Sequence, residues 1–152
     1  MKRFILCMMT LICTTLAFAG NVDDVISEFK GKKHASYISV PSFMLKFASK
    51  KLLSSDIKST LSGAKYLNLT ECSNSVKKSF VKATANLDVD GFAPLVQQTE
   101  KNETKQILVK QEGEYITSVI AVYKEDSHCM LVQLNGKIVP SEVNEVIESA
   151  QE

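Results

Sequence analysis

The second half of the chain is a series of short β-like runs separated by polar turns. The runs cover residues 92–98, 105–111, 115–123 and 128–134. The separators are short and rich in Lys, Glu, Asn, Asp and Gly, which suits antiparallel hairpins. A four-stranded meander carries apolar side chains that a second layer must cover. This half therefore restricts the chain to folds built on an antiparallel sheet.

The first half of the chain alternates helical and β-like segments. Apolar residues at 22, 25, 26 and 29 follow the i, i+3, i+4, i+7 spacing of an amphipathic helix, with Asn21 as its N-cap. Further helices are predicted at 43–53, from Ser73 or Ser75 to residue 87, and from Pro140 onward, and short strands at 35–40 and 64–69. Asn135-Gly136 is interpreted as a turn.

These elements predict a single α+β domain with two layers. We expect a largely antiparallel sheet, made of the C-terminal four-stranded meander plus the two N-terminal strands, with the helices packed on one face. Phe43, Phe47, Phe80 and Leu87 are predicted to supply much of the cover for that face.

The first nineteen residues are predicted to be a secretory signal peptide. Lys2 and Arg3 precede an apolar run, and the small residues Ala17 and Ala19 suit an export peptidase. We expect cleavage between Ala19 and Gly20, so that residues 1–19 are the signal and residues 20–152 the folded domain. The protein would then be exported to the periplasm or the outside of the cell.

A cleaved signal has two alternatives, an uncleaved membrane anchor and a lipid anchor. An uncleaved membrane anchor is disfavoured because the apolar run is shorter than the roughly 20 residues that span a bilayer core. Lipidation at Cys13 is disfavoured because Ile12, rather than a small residue, precedes it. We therefore expect no stable membrane span and no lipid anchor after cleavage.

The charge balance argues against a nucleic-acid partner. The chain has 18 basic and 17 acidic residues, and removal of Lys2 and Arg3 leaves 16 basic residues, all of them lysine. Recognition of phosphates and bases favours arginine and a strongly basic face. Neither feature is present in the mature chain.

No motif in the sequence predicts catalysis, a metal or a cofactor. His34, His128, Cys72 and Cys129 are residue types that zinc selects, but no CxxC or HxxxH pair exists, and the adjacent His128 and Cys129 would point to opposite faces of a strand. The sequence also lacks a GxSxG elbow and a Cys-His pair in a recognisable context. No catalytic, cofactor-binding or metal-binding residue is therefore assigned, and the chain is predicted not to be an enzyme.

The strand pattern predicts which face of the meander is free. We place the last hairpin turn at residues 124–127, with Ala121 opposite Met130, on the face that is more apolar and should meet the helices. The opposite face then carries an apolar strip, which we interpret as an interaction surface for a partner or a second copy: Ile120, Val122 and Leu131.

The two cysteines that remain after cleavage are Cys72 and Cys129. An exported protein meets an oxidising setting that permits a disulfide. The face assignment, however, keeps Cys129 away from a helix-side Cys72. We therefore expect two free thiols, with a disulfide as the alternative.

Several local sequences carry a resemblance to a known family. They are Tyr37-Ile38-Ser39 before a Phe/Met-rich helix, the start of the meander at Gly91-Phe92, and the run from Met130 to Ile138. With the order of elements, they make the mature chain resemble the Bacteroidetes exported-protein family catalogued as Domain of Unknown Function 4252. The resemblance implies a small envelope-exported protein and supplies no catalytic residues.

Three functions fit these observations. The first is a non-enzymatic cell-envelope domain that binds an envelope protein or a second copy of itself. The second is a binding module for a small ligand or a glycan, and the third is an enzyme with an unrecognised site. A pocket with convergent polar groups would favour the second or third, whereas an exposed apolar patch would favour the first.

Overall fold

The computed structural model describes residues 21–45, 60–85, 87, 89, 91–101, 103–125 and 128–149. Cleavage between Ala19 and Gly20 and the predicted contribution of Phe47 lie outside these residues. A helix begins at Ser42, directly after the first strand, and is described as far as Leu45. The other elements are α1 Val22–Phe29, β1 Ser36–Pro41, β2 Thr60–Asn68, α2 Asn74–Ala85, β3 Phe92–Glu100, β4 Glu103–Glu112, β5 Tyr115–Lys124, β6 Cys129–Ile138, a 3₁₀ turn Pro140–Glu142 and α3 Val143–Ser149.

All six strands form one open sheet in the order β1-β2-β6-β5-β4-β3. Every neighbouring pair is antiparallel. The C-terminal meander β3-β4-β5-β6 is therefore extended by β2 and β1, which pair beside β6. The α+β class, the meander and the two N-terminal strands predicted from the sequence are confirmed.

Helices α1 and α2 begin at the residues expected to cap them. The Asp23 N–H donates to the Asn21 side-chain oxygen at 3.4 Å, and the Val76 N–H donates to Ser73 Oγ at 3.4 Å. Such bonds satisfy N–H groups that have no partner inside the first helical turn. All four apolar positions of α1 that follow the helical spacing are buried.

The sheet carries helices on both faces. Helices α1 and α2 pack on one face in a cluster that includes Phe29 and Phe80. Helix α3 packs on the other face in a second cluster that includes Val119 and Val132. The sequence led us to expect all helices on one face, but β5 is apolar on both sides along most of its length. A strand of this composition needs cover on each side.

The last hairpin is tighter than predicted. Tyr123, rather than Ala121, pairs with Met130, and Lys124 pairs with Cys129. The register therefore differs by two residues, and such a shift leaves the side chains of residues 118–123 on their predicted faces. Ile116, expected on the face of Ile120, instead lies in the cluster under α3, because the register is irregular between Ile116 and Ser118. Apart from Ile116, the apolar residues of β5 lie on the faces predicted for them, but the assignment of a free face was wrong, because both faces are covered.

Asn135-Gly136, expected to be a turn, lies inside β6. Gly136 pairs with Leu61 next to an irregularity in β2 between Leu61 and Gly63. A Cβ atom at Gly136 would clash with the Thr60 carbonyl oxygen and lie 2.9 Å from the Leu61 Cα. The glycine is used for close approach of two backbones rather than for a turn.

Replacing Gly136 with alanine is expected to destabilise the domain by about 1–3 kcal/mol, because the β2 backbone must move away from β6. Urea denaturation followed by circular dichroism measures this change. Gly31→Ala is the matched control, since no atom lies within 4 Å of its added Cβ. Equal unfolding midpoints for the two variants would show that β2 and β6 do not approach this closely.

Candidate interaction surface

The interaction surface predicted from the sequence is wrong. Ile120, Val122 and Leu131 retain only 1%, 2% and 0% of their exposure. They lie in the cluster covered by α1 and α2, which also contains Phe80. This face carries enough apolar side chains to require its own helical layer, so it is core rather than free surface.

The exposed apolar side chains of the described chain include a group at and just after β1. Ile38 is 52% exposed, Phe43 64% and Met44 52%. Ile38 lies in the middle of β1, and Phe43 and Met44 lie in the helix that begins at Ser42. We call these three residues the β1 edge patch. Contiguous exposed apolar patches are typical of interaction sites, and these three residues lie within seven positions of one another in the sequence.

The position of Ile38 explains its exposure. It pairs with Tyr66 of β2, on the same face of the sheet as α3. Helix α3 has seven residues, so it is only about 10 Å long. Its apolar residues pack with those of the central strands. Ile38 lies at the edge of the sheet, beyond the reach of this short helix.

The two edges of the sheet differ in how well they are protected against pairing with another chain. On the described chain, β1 and β3 each pair with only one other strand. In β3, the register is irregular between Pro94 and Val96 and the strand ends at the charged Glu100. Prolines, bulges and charges are the devices that stop an edge from pairing with another chain. In β1, six consecutive residues pair in regular register, none is charged, and its one proline stands at the end.

Lysines flank one end of the β1 edge. Lys30, Lys32 and Lys33 are exposed in the segment that leads into β1, and Lys30 Nζ lies 5.8 Å from the centre of the Tyr37 ring. The described residues at the other end, 41–45, carry no charge. The segment that leads into β1 is therefore basic.

An ion pair connects this region to α1. Lys65 Nζ lies 2.8 Å from Asp23 Oδ1. The hydrogen bond to Asp23 raises the pKa of Lys65 above its ordinary value, so the lysine stays charged at neutral pH. Lys65 pairs with Ser39 of β1, and the contact thus helps to hold the edge strands against α1.

A shallow depression at the opposite end of the sheet has a different character. Its lining is made of polar and charged residues: Gln98, Glu100, Glu103, Thr104, Lys105 and Glu125. Pockets for small ligands are usually lined mostly by apolar and aromatic side chains. This depression lacks such walls, so its chemistry favours solvent over an enclosed ligand.

Of the four residues whose types suit zinc, the two histidines are exposed and the two cysteines are buried. His34 is exposed in a left-handed conformation with φ 68°, and His128 is exposed with its Nδ1 3.9 Å from Glu125 Oε2. Cys72 and Cys129 are buried. Within the described ranges, no three His, Cys, Asp or Glu side chains are grouped to hold a metal ion.

The two cysteines share one core cluster, contrary to the argument that kept them apart. Cys129 is on the α1 and α2 face of β6, and Cys72 closes a turn on that same face. Burial raises the pKa of the Cys72 thiol, and it raises the pKa of Cys129 to about 11. Cys129 lies with Cys72 because the face of β6 that was expected to be free of helices is covered by α1 and α2.

Sequence reasoning missed the β1 edge patch because it placed Phe43 in the core. One signal in the sequence could have identified it. Phe43 and Met44 are consecutive, and consecutive residues of a helix point about 100° apart. A short helix beginning there cannot bury both against a single face, and here Leu45 is the buried residue.

The architecture is that of a small α+β domain with an open antiparallel sheet. The chain belongs to the family described as Domain of unknown function (DUF4252), whose model matches residues 29–146. Searches of curated proteins and of solved structures give no significant match. Of the helices that the structure describes, none combines the length and apolar character needed to cross a membrane.

Proposed function

We propose that this protein is an exported, non-enzymatic domain of the cell envelope that binds a protein partner through the edge of β1. The observation that carries the proposal is an edge strand without protecting charges or bulges, beside exposed Ile38, Phe43 and Met44. The patch carries no titratable or nucleophilic group, so its chemistry is that of binding rather than catalysis.

The partner is expected to contribute an extended segment that adds to the sheet beside β1. Strand addition of this kind uses main-chain hydrogen bonds for affinity and alternate side chains for specificity. Ile38 would pack against one apolar side chain of the added strand. Phe43 and Met44, which follow the end of β1, would pack against a second apolar side chain of the added strand.

Charge would favour an acidic residue at one position of the partner segment. Lys30, Lys32 and Lys33 stand just before the start of β1. A partner segment with an acidic residue at the end beside these lysines is favoured, and one with a basic residue there is disfavoured. The partner is thus an extended apolar segment with one acidic end.

Export is supported by the amino-terminal sequence and by the resemblance to an exported family. Lys2-Arg3, the apolar run and the small residues before Gly20 have the order of a signal peptide. Intact-mass measurement of protein recovered from the envelope tests this part separately. A mass that begins at Gly20 is expected, whereas retained residues 1–19 or added acyl chains would contradict it.

Ile38→Lys is expected to lower the affinity for the partner by at least about tenfold, since it places a charge in the centre of the contact. Leu95→Lys is the matched control. Leu95 is 50% exposed on β3, and Ile38 is 52% exposed on β1, so both changes add the same charge to an edge strand. The folded state should be retained in both variants.

The measurement uses the wild-type domain and the two variants as baits in one envelope extract, with captured proteins quantified by mass spectrometry. A partner held by wild type and Leu95→Lys but lost from Ile38→Lys supports the proposal. A synthetic Val/Thr peptide with two Asp residues at one end provides a direct probe, and N-methylation of its backbone should abolish binding. Equal capture by both variants would contradict a β1 contact.

A further inference from the structure

Cys72 and Cys129 are connected by a short series of backbone hydrogen bonds. The Leu69 N–H donates to the Cys129 carbonyl oxygen at 2.7 Å, and the Cys72 N–H donates to the Leu69 carbonyl oxygen at 3.0 Å. The Cys129 N–H in turn donates to Thr70 Oγ1 at 3.2 Å. The turn that ends at Cys72 is therefore fastened to the first residue of β6.

Both side chains enter the same apolar cluster. Cys72 and Cys129 are buried in it together with Leu69 and Phe80. A negative charge on Cys72 also opposes ionisation of Cys129, as expected for two nearby sulfurs. Two cysteines that are far apart in sequence are thus both hydrogen-bonded through their backbones to Leu69 and are buried in one cluster.

We propose that Cys72 and Cys129 are a disulfide-forming pair that locks the turn before α2 to the start of β6. The bond would connect the turn that precedes α2 to a central strand of the sheet. Because α2 contributes Phe80 to the core, the lock would hold that helix on the sheet. The proposal does not depend on a partner at β1.

The reaction is exchange with an existing disulfide. The Cys72 thiolate attacks one sulfur of the oxidant, whose S–S bond breaks and releases one thiolate. The Cys129 thiolate then attacks the Cys72 sulfur of the mixed disulfide and releases the second thiolate of the oxidant. Two electrons pass to the oxidant, and its two thiolates take up the protons that Cys72 and Cys129 lose. A small-molecule disulfide or a disulfide-bearing oxidoreductase supplies the oxidising equivalents.

Cys72 is the residue expected to react first. It follows the exposed Glu71 and precedes the exposed Ser73, whereas Cys129 is completely buried within the sheet. Burial raises the pKa of both thiols and Lys77 partly opposes this effect. Exchange in the folded chain therefore requires local opening of residues 70–73 and should be much faster while the chain is still folding.

The test compares the chain of residues 20–152 after refolding with oxidised plus reduced glutathione and after refolding with reductant alone. The oxidised sample is expected to lose the mass of two hydrogen atoms and to yield a peptide pair joined at Cys72 and Cys129. Its Tm is expected to be higher by about 10–20 °C, because the bond closes a long loop in the unfolded chain.

Cys72→Ser and Cys129→Ser should each remove the dependence of Tm on the redox state. Because a serine in the core could itself impair folding, intact-mass analysis of the wild-type chain decides the proposal independently. Two free thiols after refolding in glutathione, a lasting glutathione adduct on one cysteine, or a bond only between chains would overturn it. An intramolecular bond that lowers the Tm would also overturn it, since that bond would oppose the native fold.

Discussion

Phe80→Ala is expected to lower the free energy of unfolding by about 3–5 kcal/mol. Phe80 is fully buried, and its ring meets Phe29 of α1 edge-on, with centroids 5.4 Å apart and planes at 87°. Truncation would remove contacts between α1, α2 and the sheet at once and leave a cavity between them. Small domains are stable by only about 5–15 kcal/mol, so this loss is a large part of the total.

Urea denaturation followed by far-ultraviolet circular dichroism measures the effect, since the chain has no tryptophan. Phe43→Ala is the matched control, because it removes the same atoms from a side chain that is 64% exposed. Its unfolding midpoint should change little. A similar loss in both variants would mean that Phe43 is buried in solution and that the β1 edge patch is not a free surface.

Ile120→Lys is expected to cost more than about 3 kcal/mol and to leave a large fraction of the chain unfolded. Ile120 lies at the centre of β5 with 1% exposure, in the cluster beneath α1 and α2. Lysine there would bury an unpaired charge and lose the apolar contacts of isoleucine. The variant should therefore lose its cooperative fold rather than a partner.

Ile38→Lys tests the other role that an isoleucine in a β-strand can have, which is contact with a partner rather than burial in the core. The same substitution at this exposed edge position should change stability by less than about 1 kcal/mol, while it lowers the affinity for the partner by at least about tenfold. Thermal denaturation of both variants beside the wild type provides the comparison. A folded Ile120→Lys variant with a wild-type Tm would restore the interaction surface predicted from the sequence and contradict the buried position found here.

Local structure was largely predictable because it depends on short-range chemistry. The apolar spacing of α1, its Asn21 cap and the turns between hairpins determine where elements begin and end. Asn135-Gly136 shows where this reasoning fails. The dipeptide has the composition of a turn, but the close approach of Thr60 and Leu61 requires a glycine in a strand. That requirement comes from a residue pair far apart in sequence.

The candidate site could not be derived from local patterns. Exposure of Ile38 follows from the place of β1 at the edge of the sheet and from the shortness of α3, and neither is encoded within β1 itself. In the same way, the adjacency of Cys72 and Cys129 depends on the pairing of β2 with β6. Strand order is set by contacts between residues that are far apart in sequence. The alternation of side chains along a single strand does not specify those contacts.

The sequence by itself determined the α+β class, the six strands and most of the composition of each face, since a two-residue change of register preserves alternation and only the irregularity beside Ile116 interrupts it in β5. Only the tertiary structure decided which apolar side chains are core and which are surface. Ile120 and Ile38 occupy similar strand sequences, but Ile120 is covered by two helices and Ile38 has no neighbouring strand on one side in the described chain. Burial is a property of the neighbours that a residue acquires on folding, and these neighbours come from distant parts of the chain.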